Sequence, residues 1–313
     1  MVTGAAGFIG SHLAERLLAD GWSVPGLDAL TTFTPMADKR RRIAPLSEGD
    51  ALAVPRPDPP VHPLIADLAG ADVVFHLAGQ PRVRESFGPG FVRHVRRNVI
   101  ATHRLLEGMV EAGAARVVLA SSSSVYGEGL GRPTREDDPL LPRSPYGVSK
   151  VTVEGLARCY AEQHGLGLVA LRYFTVYGPG QRPDMAYQRI AEAATGGPAF
   201  PIHGDGHQRR DVTYVGDVVE ATVAAASRGE GAYTGAAGSP ATLREAMALV
   251  ADLVGGPVAT VQHSSAPGDV RTTSADTTRA RRDLGWAPRV GLREGLAAQL
   301  ALTSAARRRV PAR

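Results

Sequence analysis

At 313 residues, with 43% hydrophobic and 21% charged side chains, the chain has the composition of an ordinary soluble enzyme of one large or two moderate domains. A net charge of +4 is too small a surplus to argue for nucleic acid, and no aromatic residues interleave with the basic clusters at Lys39 to Arg42, Arg96-Arg97, Arg281-Arg282 and Arg307 to Arg309. Neither a run of about 18 apolar residues nor a leader pattern is present, so the expectation is a cytoplasmic protein with no membrane partner; a single Cys159, in a helical pattern that predicts a buried or inert thiol, excludes an internal disulfide and a Cys-based metal site.

The chain opens on Gly4-Ala5-Ala6-Gly7-Phe8-Ile9-Gly10, the G-x-x-G-x-x-G spacing of a dinucleotide phosphate loop. Such glycines serve a tight strand-to-helix turn, close backbone approach to a pyrophosphate, and close helix-to-sheet packing. Standing alone, the spacing fits a plain turn equally well. Ile9, Leu13 and Leu17 recur every fourth residue, Gly21 stops the helix they predict, and Val24 to Leu27 predict a second strand. Asp28 ends that strand where a carboxylate accepts hydrogen bonds from the adenosine ribose hydroxyls, the alternative being a plain loop acid. Ala29 and Leu30 follow it, so a 2′-phosphate would meet an acid and no cation, which favours NAD over NADP. Only Met1, Val2 and Thr3 precede Gly4, so either the chain starts upstream or the first strand is stunted.

Residues 31 to 63 are rich in Pro and Arg, with a loop-and-helix insertion around Met36 to Leu46. Val61 to Ile65 predict a weak strand leading to Asp67-Leu68. Val73 to Gly79 form a short apolar run closed by small residues, as a buried parallel strand should be, with a structural His76 inside it. A helix is predicted from Asn98-Val99 through Leu105, Leu106 and Val110 to Gly113, and a strand over Arg116 to Ala120 that runs into Ser121-Ser122-Ser123-Ser124-Val125-Tyr126-Gly127. The four serines fit a polar turn, or the edge where a doubly wound sheet binds its ligand. Ser144, Pro145 and Tyr146 supply N-cap, N1 and first turn of a helix reaching about His164-Gly165. Tyr146 and Lys150, four apart, share one face of it. Lys39 and Lys150 are the only lysines among 35 basic residues, which singles both out.

This set of residue types suits alcohol oxidation. A tyrosine is a poor base near neutral pH, but an ammonium one helical turn away and a positively charged nicotinamide stabilise its phenolate. Lys150 can also hold a nicotinamide ribose hydroxyl, and a serine hydroxyl on the same substrate oxygen orients the alcohol and stabilises developing charge.

At this point the chain resembles the extended short-chain dehydrogenase/reductase superfamily, in its nucleotide-sugar epimerase/dehydratase branch. The marks are Gly4 to Gly10, Asp28, Asp67-Leu68, His76-Leu77-Ala78-Gly79, Asn98-Val99, Ser121 to Gly127, Tyr146 to Lys150, Leu171 to Pro179 with Tyr173, Arg210-Asp211, Tyr214-Val215, Asp217-Val218 and Pro267 to Val270. The resemblance implies Tyr146 as base, Lys150 as its partner and Ser122 as the assisting hydroxyl. It implies that Asp67 reads the adenine amino group and Arg210 the sugar-nucleotide diphosphate, and it adds Phe8, Ile9, Leu68, Leu77, Ala78, Gly79, Asn98 and Tyr173 to the cofactor site and Asp269 to the substrate site.

Such enzymes oxidise the sugar at C4 with bound NAD and then finish differently. Dehydratases of the branch carry Asp-Glu where Ser123-Ser124 stand here, and decarboxylases usually carry Glu at Ser124; with neither acid present, 4-epimerisation remains. Thr175 to Ala186, Lys39 to Arg42 and Val83-Arg84-Glu85-Ser86 look most like UDP-glucuronate 4-epimerases, whereas galactose 4-epimerases usually have Asn at Thr175. A 4-keto glucuronate loses CO₂ when its C5–C6 bond aligns with the carbonyl π system, so the carboxylate must be held out of alignment. Ser123, Ser124 and Thr175 with Arg182 are the expected holders, a lid or surface role being the alternative for Arg182. Many relatives have Gln or Arg where Ala266 stands, a contact Arg271 would have to supply.

The expected architecture is α/β: a Rossmann-type doubly wound parallel sheet with a smaller C-terminal α/β substrate domain. The cofactor domain would comprise 1–174 plus 209–238, the nucleotide-sugar domain 175–208 plus 239–313. The resemblance implies a homodimer paired through helices starting near Asn98 and Tyr146. The rivals are 4-epimerisation of a neutral UDP-sugar or a dTDP-sugar, decarboxylation of UDP-glucuronate, and a non-catalytic NAD-sensing module, which has no need of Ser122, Tyr146 and Lys150 together.

Overall fold

The computed structural model describes residues 1–31, 36–44, 52–53, 61–264 and 270–308. Its first βαβ unit is β1 (Val2–Thr3), α1 (Phe8–Ala19) and β2 (Gly26–Leu27), followed by α2 (Met36–Ile43), β3 (Leu52–Ala53), α3 (Val61–Leu68) and β4 (Val73–His76). One helical rod then runs from α4 (Gly90–His94) through a π-helical turn (Val95–Ile100) into α5 (Ala101–Ala112), ahead of β5 (Arg116–Ser122), α6 (Pro145–His164) and β6 (Gly167–Tyr173). The remainder is β7 (Thr175–Tyr177), α7 (Ala186–Ala194), β8 (Phe200–His203), β9 (Arg209–Tyr214), α8 (Val215–Ala224), β10 (Gly231–Gly235), β11 (Pro240–Thr242), α9 (Leu243–Val254), β12 (Thr260–His263), α10 (Thr278–Leu284) and α11 (Leu292–Arg308).

Seven parallel strands form the main sheet in the order β10-β6-β5-β4-β1-β2-β3. The order reverses beside β1, so the glycine loop leaving β1 lies at the switch point where doubly wound sheets bind ligands. The sheet is covered on both faces. Leu13 and Leu17 of α1 and Val218 of α8 pack on one side, and Leu105, Leu106 and Met109 of α5 with Val153 and Ala157 of α6 on the other. Each such buried side chain contributes roughly 1.5–3 kcal/mol over its exposed state. β1 is only two residues long, yet it pairs with β2 and β4, and the Met1 nitrogen donates to the Val73 carbonyl at 2.8 Å.

Two small sheets, β11-β9-β7 and β12-β8, stand beyond the C-terminal ends of these strands, over a core that includes Tyr177, Ile190 and Val250. Strand β9 pairs with β7 and β11, so residues 209–214 join the small sheet, and the chain returns to the large one at α8 and β10.

Three sequence expectations are corrected. Val61 to Ile65 form helix, not strand: Pro63 lies in the first turn of α3, where a missing N–H costs nothing. The helix expected from Asn98 starts at Gly90 and carries Asn98 inside its π turn. Cys159 is exposed, because α6 turns Val153 and Ala157 inward and Cys159 falls on the opposite face.

Candidate active site

A cavity of about 1120 Å³ opens at the switch point, and Gly4, Gly7, Phe8, Ile9, Gly10, Asp28, Leu77, Ala78, Gly79, Lys150 and Tyr173 line its floor. The glycines are required by contact. Gly4 has φ +73° and a Cβ there would stand 2.8 Å from the Ala78 nitrogen, while a Cβ on Gly10 would collide with the Gly4 carbonyl. The loop therefore lies flat on β1 and β4, and the amino end of α1 faces the cavity. A narrow backbone cradle of this kind fits a pyrophosphate.

Asp28 ends β2 and is nearly buried, accepting from the Ala6 amide at 3.1 Å and the Leu30 amide at 2.7 Å. Lys39 on α2 donates to it at 2.9 Å and is equally buried. This corrects the expectation that no cation stands near Asp28, and it places both lysines of the chain on the wall of one cavity. Beside Lys39, Arg42 donates to the Gly180 carbonyl at 2.6 Å, tying α2 to the loop after β7.

Ser122, Tyr146 and Lys150 gather at the carboxyl end of β5. Ser144 caps α6, accepting from the Gly147 amide at 3.1 Å, and Pro145 fills N1, which presents Tyr146 from the first turn. The Tyr146 phenol is hydrogen-bonded to the Ser122 hydroxyl; burial pushes its pKa up, while that bond and the nearby Arg182 charge work against the rise. Lys150 Nζ donates to the Ala120 carbonyl at 2.7 Å, and burial pulls its pKa down to about 8. His76 is structural: its ring joins Thr3 and Thr102 at 2.7 and 2.9 Å, and burial first and Lys150 second bring its pKa to about 3. Asn98, buried behind the wall, accepts from the Gln80 amide at 2.6 Å and donates to Ser149 at 2.9 Å, so the π turn fastens the end of β4 to α6.

Arg84, Ser123, Ser124, Thr175 and Arg182 line the same cavity as Tyr146. Asp184, also on the wall, accepts from Arg182 at 3.1 Å and from Arg82 at 3.1 Å, and Arg82 also pairs with Glu85. Sequence reasoning missed Lys39, Arg82 and Asp184 here, although the scarcity of lysine pointed at the first.

Besides Asn98, three expected positions among the described residues do not line the cavity. Asp67 and Leu68 end α3 away from the cavity wall, and Leu68 is fully buried in the core. Arg210 lies outside the wall and donates to the carbonyls of Arg209 and Arg271 at 2.9 and 3.3 Å. Asp269, like Ala266, falls outside the described residues.

Residues 1–236 match the NAD dependent epimerase/dehydratase family. The UDP-glucose 4-epimerase of Mycolicibacterium smegmatis is 38% identical over 310 residues, 95% of this chain and 96% of that one. Among solved structures, the UDP-glucuronic acid 4-epimerase from Bacillus cereus in complex with UDP-glucuronic acid and NAD superposes with a TM-score of 0.90 at 35% identity, over 97% of this chain and 98% of that one. MoeE5 in complex with UDP-glucuronic acid and NAD gives 0.86 at 42% identity, with the same coverage. With the glycine cradle, the Asp28 strand end and the Ser122, Tyr146 and Lys150 set in one cavity, the chain belongs to the NAD dependent epimerase/dehydratase family.

Proposed function

We propose that the protein is a 4-epimerase that interconverts UDP-glucuronate and UDP-galacturonate. The observation that carries this reading is the chemistry of the sugar end: hydroxyls at Ser123, Ser124 and Thr175, arginines at Arg84 and Arg182, and no acid placed for elimination. Among the described residues of the wall the acids are Asp28, Glu85 and Asp184, and each is salt-bridged to Lys39, Arg82 or Arg182. Dehydration needs an acid and a base at C5 and C6, which this wall lacks. Two similar solved structures hold UDP-glucuronic acid, which supports a uronate substrate.

Gly4, Gly7, Gly10 and Asp28 would hold NAD, with Lys39 at the adenosine end and Lys150 at the nicotinamide end. When bound, the cofactor supplies reversible hydride transfer at C4. Tyr146, as phenolate, takes the proton of the C4 hydroxyl, and Ser122, hydrogen-bonded to the same oxygen, holds it in line. The Lys150 ammonium one turn away favours the phenolate. After the 4-keto sugar turns over, C4 would regain its hydride on the opposite face while Tyr146 returns the proton to O4, so protons and electrons balance without net redox change. Ser123, Ser124, Thr175 and Arg182 hold the C6 carboxylate out of alignment with the C4 carbonyl, which keeps CO₂ in place.

The same reading extends to a homodimer. Phe91, Val92, Ile100 and Val148 leave apolar side chains exposed on α4, the π turn and α6, a surface suited to a second copy. Sedimentation of the purified protein tests this, a monomer contradicting it. The substrate assignment is tested with a panel of nucleotide sugars and chromatography of the products. Turnover of UDP-glucose with uronate rejected would favour the neutral-sugar reading.

A further inference from the structure

Behind the serine-ended strand lies a buried cluster that the scheme above leaves unused. Glu154 stands one helical turn beyond Lys150 on α6, and its side chain is 10% exposed. Arg172 of β6, 6% exposed, grips it with three bonds: Nε at 3.0 and 3.2 Å and Nη2 at 2.7 Å. The Ser121 hydroxyl donates to the same carboxylate from β5. Arg172 also donates to the Tyr126 hydroxyl at 2.8 Å and to the Glu136 carbonyl at 2.9 Å, which fixes the turn that follows the serines. One carboxylate thus joins the helix that carries Tyr146 and Lys150 to the strand that presents Ser122 as its next residue.

We propose that Glu154 is a positioning residue for oxidation at C4: it locks α6 to the end of β5 so that Ser122 meets Tyr146, and it fixes a negative charge one turn from the Lys150 ammonium. This rests on the reaction proposed above. A buried ammonium without a counter-charge sheds its proton, and burial already brings Lys150 to about 8, with Glu154 opposing the fall. The titratable and charged groups around Lys150 are Tyr146 and Glu154 on its own helix, His76 on β4, and Arg172 behind Glu154 on β6. His76 is neutral through the working range and Arg172 is a cation, so among the described residues the stabilising charge is that of Glu154.

The chain's two lysines make the test direct. Protein labelled with [ε-¹³C]lysine gives two side-chain resonances, assigned by Lys39→Arg, and the Lys150 resonance is titrated in the full-length protein. Glu154→Gln is expected to lower the Lys150 midpoint by about one pH unit, roughly tenfold in proton affinity, and Glu154→Asp to restore most of it. The alkaline limb of kcat with UDP-glucuronate is expected to move by the same amount. Should Glu154→Gln fail to fold, the double replacement Glu154→Gln with Arg172→Met removes both buried charges and is expected to lower the Lys150 midpoint in the same direction by a smaller amount, since the lost cation lies behind the lost carboxylate. Ser121→Ala, which changes no charge, is expected to lower kcat severalfold with KM little altered. An unmoved Lys150 midpoint in the Gln variants overturns the charge role, and an unchanged kcat in Ser121→Ala overturns the locking role. A wild-type protein that rejects every nucleotide sugar overturns the reaction, while the lysine titration still decides the role of Glu154.

Discussion

Lys39 Nζ lies 2.9 Å from Asp28 Oδ1, and both side chains are less than a tenth exposed. The pair stands on the cavity wall, and Ala6 of the glycine loop donates its amide to the other Asp28 oxygen. Lys39→Met would leave a buried carboxylate supported by two amides alone. Breaking such a pair from one side costs on the order of 3 kcal/mol. Urea unfolding of the variant is expected to show a loss of that order, and the purified variant to carry less NAD than wild type. Equal stability and equal cofactor content would mean that the pair does nothing for the loop.

Lys150→Met is expected to be inactive but more stable at neutral pH. Burial depresses the folded-state pKa of Lys150 from 10.5 to about 8, so the folded protein binds this proton less tightly than the unfolded chain. The resulting penalty is full below about pH 8, on the order of 3 kcal/mol less the lost bond to Ala120, and it disappears above about pH 10.5. Thermal unfolding of both proteins at pH 7 and pH 10 checks the sign. A gain that grows with pH would contradict it.

Asp211 makes the same kind of prediction in the acid range. Its buried carboxyl accepts from Ala237, Gly238 and Ala275, yet burial outweighs these bonds and raises its pKa to about 6. The folded state therefore favours the protonated form, and this group's contribution to stability is full below about pH 4 and falls as pH rises through about 6. Asp211→Asn is expected to flatten the change in melting temperature between pH 4 and pH 6, at the cost of one mismatched amide contact. An unchanged slope would assign that titration to another group.

The site was legible in the sequence where one residue type at one spacing does one job. The glycine loop, Asp28, the serine-ended strand and the Tyr146 and Lys150 spacing are local patterns, and the structure gathers all of them around one cavity. What could not be read depends on chain reversals. Lys39 reaches Asp28 because α2 folds back over β2, and no periodicity in residues 31 to 63 marks that return. The run Val61 to Ile65 predicts a strand but forms a helix, since so short a run with this pattern suits either until a neighbour decides. The helix predicted from Asn98 starts at Gly90 in the structure, because the rod runs through a π turn that α-helical periodicity does not reveal.

On the proposed function, Arg182 is the residue that separates uronate from neutral sugar. Its guanidinium pairs with Asp184 and its charge is felt at Tyr146, with which it shares the cavity wall. Arg182→Met is expected to raise KM for UDP-glucuronate by roughly tenfold to a hundredfold, the loss of a charged hydrogen bond, and to change KM for UDP-glucose little. Equal effects on both sugars would assign Arg182 to the nucleotide or to the lid.

The most direct measurement incubates the wild-type protein and Tyr146→Phe with UDP-glucuronate and separates the products by chromatography while absorbance at 340 nm is followed. Wild type is expected to form UDP-galacturonate with no build-up of free NADH and no pentose product, and Tyr146→Phe to be slower by about 10²–10⁴-fold with its fold intact. A UDP-pentose product, stoichiometric NADH, or full activity in Tyr146→Phe would contradict 4-epimerisation by this site.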